Sequence, residues 1–267
     1  MKKLLLILLC LPVIVVAQKT YVPDDAFENY LENNGLGDGI YLNDSVFTSA
    51  IDTITHLDIP SNSGVIDLTG IFDFTELYFL NINNQDIIEL DLSGLTKLNC
   101  IYARNNNIIN VNTVGADSLH RLYIDENNVT ELDISSNLNM TALNCRENNL
   151  FCLRIGDNTG FTQANHPSTS QWQFNVQGNP NLNCIQTNNV GWFQAQTTLF
   201  NIPNNISFNQ YCDTINCSGI SLIDEEVLEN KKIFKVTDLL GRETKQTNQP
   251  LFYIYDDGTV EKRIVIE

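Results

Sequence analysis

The sequence predicts a mainly β protein: a solenoid of about six short coils, an N-terminal helical cap and a small C-terminal β tail. Three observations carry that prediction. A block of 11 residues recurs in phase at an interval of 21. Within each block the apolar residues stand two apart, the spacing of a strand. Amphipathic and aromatic segments flank the repeated region, where the open ends of a stack need covering.

The repeat is explicit. "LYFLNINNQDI" (77–87), "LNCIYARNNNI" (98–108), "LHRLYIDENNV" (119–129) and "MTALNCRENNL" (140–150) align without gaps. Their apolar columns are Leu77, Leu98, Leu119, Met140; Leu80, Ile101, Leu122, Leu143; Ile82, Ala103, Ile124, Cys145; and Ile87, Ile108, Val129, Leu150. One polar column runs Gln85, Asn106, Asn127, Asn148. Leu122 and Ile124 point to one side of a strand, so Tyr123 points to the other. Asn106, Asn127 and Asn148 form a structural ladder, bonding the backbone groups that each turn leaves free.

The second half of each unit carries another alternating pair, Leu90/Leu92, Leu132/Ile134 and Leu153/Ile155, with a weaker Val111/Thr113. About ten residues are too few for a long helix and its turns, so extended or short 3₁₀ segments are expected on the convex side. Upstream, Leu57 and Ile59 mark a degenerate first strand; downstream, Phe174, Val176 and Asn179 mark a last one. The longer interval before it holds a polar protruding loop, 158–170.

The pattern Leu-x-x-Leu-x-Leu-x-x-Asn-x-Leu resembles the leucine-rich-repeat consensus. The opening "YVPDDAFENYL" with units such as "ELDISSNLNMTALNCRENNL" is similar to exported leucine-rich-repeat proteins of gliding Gram-negative bacteria, over roughly residues 20–212. The resemblance implies a leucine-rich-repeat solenoid and says little about ligand.

The ends and divisions follow. Residues 1–17 read as a signal peptide: Lys2 and Lys3, an apolar run from Leu4 to Val16, and a small-residue site at Val15-Val16-Ala17. Cleavage is expected after Ala17. The run is short for a membrane anchor, and Leu9 argues against lipid attachment at Cys10. Residues 18–53 form the N-terminal cap, with a helix capped by Asp24 or Asp25, an apolar face of Phe27, Tyr30 and Leu31, and a stop at Gly35. The solenoid spans 54–189. Residues 190–217 form the C-terminal cap, with Trp192, Phe193, Phe200 and Phe208 over the last coil.

In the tail, 218–267, "IFKV" alternates, Asp256-Asp257-Gly258 marks a turn and "RIVIE" is strand-like. One reading is a β-hairpin that closes the solenoid. Another is a type IX secretion sorting domain, which "VTDLLGRETK" and "YIYDDGTVEKRIVIE" resemble, although the early Asn-Pro segment and several strands of that family are missing.

Removal of the leader leaves thirteen basic against 32 acidic residues, which argues against a nucleic-acid or anionic-membrane partner, and no other apolar stretch approaches membrane length, so no membrane insertion of the mature chain is expected. Six cysteines remain, Cys100, Cys145, Cys152, Cys184, Cys212 and Cys217, and export permits disulfides. Cys184–Cys212 is the first choice. Cys152 is its rival for Cys184, because the two occupy matching positions in "NLFCL" and "NLNCI". Cys145 reads as a buried free thiol.

No catalytic motif, glycine-rich phosphate loop, zinc spacing or calcium loop is present, so no enzyme, cofactor or metal is expected. His56, His120 and His166 are scattered. Four Asp-Ser/Thr-apolar segments, beginning at Asp44, Asp52, Asp117 and Asp213, resemble a bacterial O-glycosylation pattern.

Charge placement says more. Residues 18–217 hold six cations against 22 acids, and Arg104, Arg121 and Arg146 all fall at outward, concave positions. Phe79, Asn81, Asn83, Tyr102, Tyr123, Asp125 and Asn144 fall there too. Aromatics with arginine on a rigid sheet suit binding, so the concave face is expected to read a protein or glycan at the cell surface. A bland alternative has the arginines merely offsetting Asp125 and its acidic neighbours. A glycan-active enzyme would need a second carboxylate beside Asp125. A purely structural coat or adhesin component is the third reading.

Overall fold

The computed structural model describes residues 18–161, 173–195, 200–212, 233–237, 250–255 and 260–264. The leader, most of the 158–170 loop, the Asp213 segment, Cys217 and the tail's Asp256-Asp257-Gly258 turn lie outside the described residues. The chain forms two compact units, Met1–Cys217 and Ser218–Glu267.

In the first unit, β1 (Lys19–Tyr21), α1 (Asp25–Asn33), β2 (Ser45–Phe47) and α2 (Thr48–Ile51) precede the coils. Asp24 caps α1, its carboxylate accepting from the Phe27 N–H at 2.8 Å. Its other oxygen takes the N–H groups of Ile66 and Asp67, so one side chain caps the helix and ties it to the first coil. Phe27 and Leu31 are buried, and Gly35, at φ 71°, ends the segment.

The solenoid follows as β3 (His56–Asp58), β4 (Phe79–Asn81) with β5 (Glu89–Asp91), β6 (Cys100–Tyr102) with β7 (Asn110–Asn112), and β8 (Arg121–Tyr123) with β9 (Glu131–Asp133). It continues as β10 (Ala142–Asn144) with β11 (Cys152–Gly156), then β12 (Phe174–Asn175) with β13 (Cys184–Thr187). After α3 (Val190–Ala195), an isolated parallel bridge from Asn175 to Asn201 and the strand β14 (Ser207–Asn209) add an incomplete seventh turn. The concave sheet runs β12-β10-β8-β6-β4-β3, all parallel. On the convex side the extended segments pair as β5-β7 and as β14-β13-β11-β9.

The register places Leu57, Leu80, Ile101, Leu122, Leu143 and Phe174 in one inward row, all buried. Each such side chain removes its apolar area from water between two coils, worth about 1.5–3 kcal/mol. The convex sheet breaks between β7 and β9, where Thr113 replaces an apolar residue. Its single hydroxyl proton is shared between Asn137 Oδ1 at 2.6 Å and Asp133 O at 3.0 Å, and Asn137 Nδ2 donates back to Thr113 O, so the gap is filled by a polar network.

At the far end Phe161, Phe174, Phe193 and Phe200 pack with centroids 5.1–6.2 Å apart, Trp192 lies edge-on to Phe193, and Phe208 stacks beneath it. Cys184 bonds Cys212 across this cap. Cys152 is also disulfide-bonded, but not to Cys184, which overturns the rival pairing; its place one coil earlier had suggested it, yet Cys184 turns toward the segment that follows. Cys100 and Cys145 are free and buried.

The second unit is an antiparallel meander of β15 (Ile233–Thr237), β16 (Pro250–Tyr255) and β17 (Val260–Ile264). No helix among the described residues is long and apolar enough to cross a membrane.

Candidate binding face on the concave sheet

The face is built on a rigid back. Asn127 Nδ2 donates to Ala103 O (2.9 Å), Ile124 O (3.1 Å) and Asp125 O (3.3 Å), and its Oδ1 accepts from the Ile108 N–H (2.9 Å). Asn106 and Asn148 repeat the arrangement one coil away on either side. Gln85 and Asn179 extend it in both directions. The residue before each ladder amide is left-handed: Asn84, Asn105, Glu126, Glu147 and Gly178 all have φ between 51° and 70°. Asparagine and glycine tolerate that conformation; glutamate does so at a cost.

Three outward columns cross this back. The first is His56, Phe79, Cys100, Arg121, Ala142, and the second is Asp58, Asn81, Tyr102, Tyr123, Asn144, Asn175. The third, two residues further along each strand, holds Asn83, Arg104, Asp125, Arg146 and Gln177. His56 stacks on Phe79 at 5.7 Å, Phe79 meets Tyr102 at 5.7 Å, and Tyr102 stacks on Tyr123 at 4.7 Å with an interplanar angle of 13°. The aromatic row therefore steps from the first column to the second. Small, buried Cys100 stands opposite Phe79 and leaves room for the diagonal.

The expected cationic patch does not form as a set. Arg104 and Arg146 both close on Asp125 and Glu126: Arg104 Nε–Asp125 3.1 Å, Arg104 Nη2–Glu126 2.6 Å, Arg146 Nε–Asp125 3.5 Å, and Arg146 Nη2–Glu126 2.5 Å. The coil between the arginines carries two acids, one reaching them from its left-handed position, so the four charges cancel. The hydrogen bond from Arg104 draws the Glu126 carboxyl below its ordinary range, while burial pushes Asp125 up despite both arginines. At 4% exposure Asp125 is a strut between arginines and not a free contact.

The asparagines are partly spent as well. Asn81 Oδ1 takes the Asn83 N–H and its amide donates to Asp58; Asn83 Oδ1 takes the Arg104 N–H; Asn144 Oδ1 takes the Arg146 N–H. Asp58 and Glu126 are thus concave carboxylates in addition to Asp125, Asp58 three coils away from it.

Arg121 differs from its two neighbours. It makes no ion pair among the described residues, and its Nε is buried without a partner. It lies against the Cys100 thiol, and its charge bears on both phenols. Burial pushes Cys100 and Tyr102 up and Tyr123 up to about 12, so all three keep their protons at neutral pH. His56, Cys100, Asp58 and Glu126 belong to this face and were not among the expected site residues. For His56 and Asp58 the signal was available: the first coil obeys the same two-residue alternation.

Elsewhere, Asp25, Glu28 and Asp44 approach one another in the cap, but Glu28 is buried with its oxygens on the Asn43 and Asp44 N–H groups, so backbone satisfaction accounts for it. Of the glycosylation-like segments, Thr53 is exposed, while Ser45 and Ser118 are half-buried.

No protein-family profile matches the chain, and no curated protein matches it. Among solved structures the chain is similar to the functional domain of InlJ from Listeria monocytogenes, which includes a cysteine ladder, with 26% identity and a TM-score of 0.48 over 75% of this chain and 46% of that one. It is similar to an internalin, InlF, from the same organism, with 19% identity and a TM-score of 0.43 over 70% of this chain and 56% of that one. The chain spans about half the length of these two. A third internalin, InlC2, gives 20% identity and a TM-score of 0.27 over 73% of this chain and 99% of that one.

Proposed function

We propose that this chain is an exported, surface-exposed binding module whose concave sheet holds its ligand. The observation that carries the reading is Arg121, a cation with no counter-ion among the described residues, set beside an aromatic row on a back held rigid by the amide ladder. A preorganised face loses little entropy on binding, which is where such a sheet gains affinity. The leader, 1–17, would send the chain out of the cytoplasm, and the tail, 218–267, would direct its further transport. The glycan-active alternative is disfavoured for both carboxylate pairs. Asp125 and Glu126 are each held by Arg104 and Arg146, and Asp58 lies three coils from Asp125, about 14 Å at strand separation, beyond the ~5–9.5 Å that glycosidase carboxylate pairs span.

The test is capture of surface material from the producing cell by wild-type chain and by a Tyr102→Ser, Arg121→Gln, Tyr123→Ser variant, with protease- and glycosidase-treated samples in parallel. The variant should lose capture while its melting temperature stays within a few degrees. Unchanged capture, or dependence on the 158–170 loop alone, would refute the concave-face reading.

A further inference from the structure

We propose that Arg121 is a carboxylate-recognition subsite, and that the partner is a polypeptide presenting a single Asp or Glu side chain to the surface patch formed by Arg121, Tyr102 and Tyr123. The proposal rests on the concave-face reading and narrows it in two respects.

The first is the charge of the ligand group. Arg104 and Arg146 are neutralised by Asp125 and Glu126, so they offer a passing anion no net attraction. Arg121 stands across the sheet from Cys100 and Ala142, both uncharged, and its flanking strand residue is Tyr123. One net positive charge therefore remains at the middle of the face. A guanidinium offers paired donors in a fixed fork, which fits a carboxylate bidentately. The Tyr102 hydroxyl meets the Cys100 thiol, while Tyr123, beside Arg121 on the same strand, keeps its phenolic proton and can donate a further hydrogen bond to the same anion. The ε-nitrogen of Arg121, buried and unpaired, already bears the cost of desolvation; an acceptor brought to this guanidinium recovers part of it.

The second is the class of the partner. Sugars bind aromatic residues through open ring faces. Here most of the faces are consumed internally: Tyr102 is stacked on Tyr123 at 4.7 Å and met at a tilt by Phe79 at 5.7 Å, and Phe79 is stacked by His56 at 5.7 Å, so only the Tyr123 face toward Asn144 has no ring against it. Apart from that face, the row presents ring edges and hydroxyls. Ring edges carry the positive end of the quadrupole and favour carbonyl and carboxylate oxygens. Peptide backbone supplies the former and an acidic side chain the latter.

The experiment pans a random dodecapeptide display library against the full chain, against Arg121→Gln, against Arg121→Lys and against Tyr102→Ser/Tyr123→Ser, with oligogalacturonate binding measured in parallel. Wild type should enrich peptides with one Asp or Glu at a constant position. Those peptides should bind Arg121→Gln at least tenfold more weakly and Arg121→Lys in between, with binding falling as salt rises. Enriched peptides that need the tyrosines but show no acidic position, and bind Arg121→Gln normally, would overturn the carboxylate subsite and leave the concave face as the binding surface. Peptides indifferent to all three variants would overturn the concave-face reading itself. Oligogalacturonate binding without peptide enrichment would overturn the polypeptide partner.

Discussion

Replacing Asn127 with Ala tests the amide ladder on which the rest of the face depends. The side chain makes four buried hydrogen bonds, and their loss is unequal. Each of the three carbonyls keeps a second donor: Ala103 O from Asn106 Nδ2 at 3.2 Å, Ile124 O from Asn148 Nδ2 at 2.9 Å, and Asp125 O from the Asn105 N–H at 2.9 Å. The Ile108 N–H has no alternative acceptor in the ladder and is left unpaired in a buried site, at about 1–3 kcal/mol. With about 1 kcal/mol for the weakened carbonyls, the variant should lose roughly 2–4 kcal/mol. Urea unfolding at constant m measures the total, and amide exchange localises it: the Ile108 N–H should lose protection before its neighbours two coils away. Asn127→Asp restores the acceptor for Ile108 but removes the two N–H donors that serve three carbonyls and aims a negative charge at those carbonyls, so it should be at least as costly at neutral pH. A loss below about 0.5 kcal/mol with Ile108 exchange unchanged would refute the ladder's role.

Three further outcomes are expected. Leu122→Ala empties a fully buried inward position shared with the coils on both sides and should cost about 2–5 kcal/mol in chemical denaturation. Arg104→Ala or Arg146→Ala alone should cost about 1 kcal/mol or less, since each is at least one-third exposed and the other still covers Asp125. The double variant strands a carboxylate only 6% exposed and should cost about 3–5 kcal/mol, more than the singles combined and relieved by Asp125→Asn; strict additivity in that cycle would show the four charges to be independent. Burial alone would raise the Asp38 carboxyl, but Lys19, Asn43 and the Ile40 N–H hold it at about 2 against an ordinary 3.8. Its folded value is depressed, so its contribution is whole above about pH 4 and is lost as pH falls toward 2; Lys19→Met should flatten that part of the stability–pH curve.

What the sequence determined by itself was everything governed by period. The 21-residue interval places Leu80, Ile101, Leu122 and Leu143 in one row, and the two-residue alternation turns Tyr102 and Tyr123 outward together. The Asn column follows for the same reason: a parallel stack in register repeats whatever one coil does. The helix cap was legible to within one residue, Asp24 or Asp25, because capping is a local backbone demand, and the structure assigns it to Asp24. Only the tertiary structure decided relations that period leaves free. It paired Cys184 with Cys212 and not with Cys152, since a disulfide depends on where two chain segments meet and not on matching positions in a repeat. It also separated three arginines that look equivalent in sequence. Arg104 and Arg146 are bound to acids from the coil between them, one of which reaches them only through its left-handed turn. Arg121 lies four residues before Asp125 on the same coil, beyond the pairs those acids form, and keeps its charge for a ligand. Charge is written in the sequence, but whether a charge is free depends on distances of 3 Å across coils, and those are set by packing.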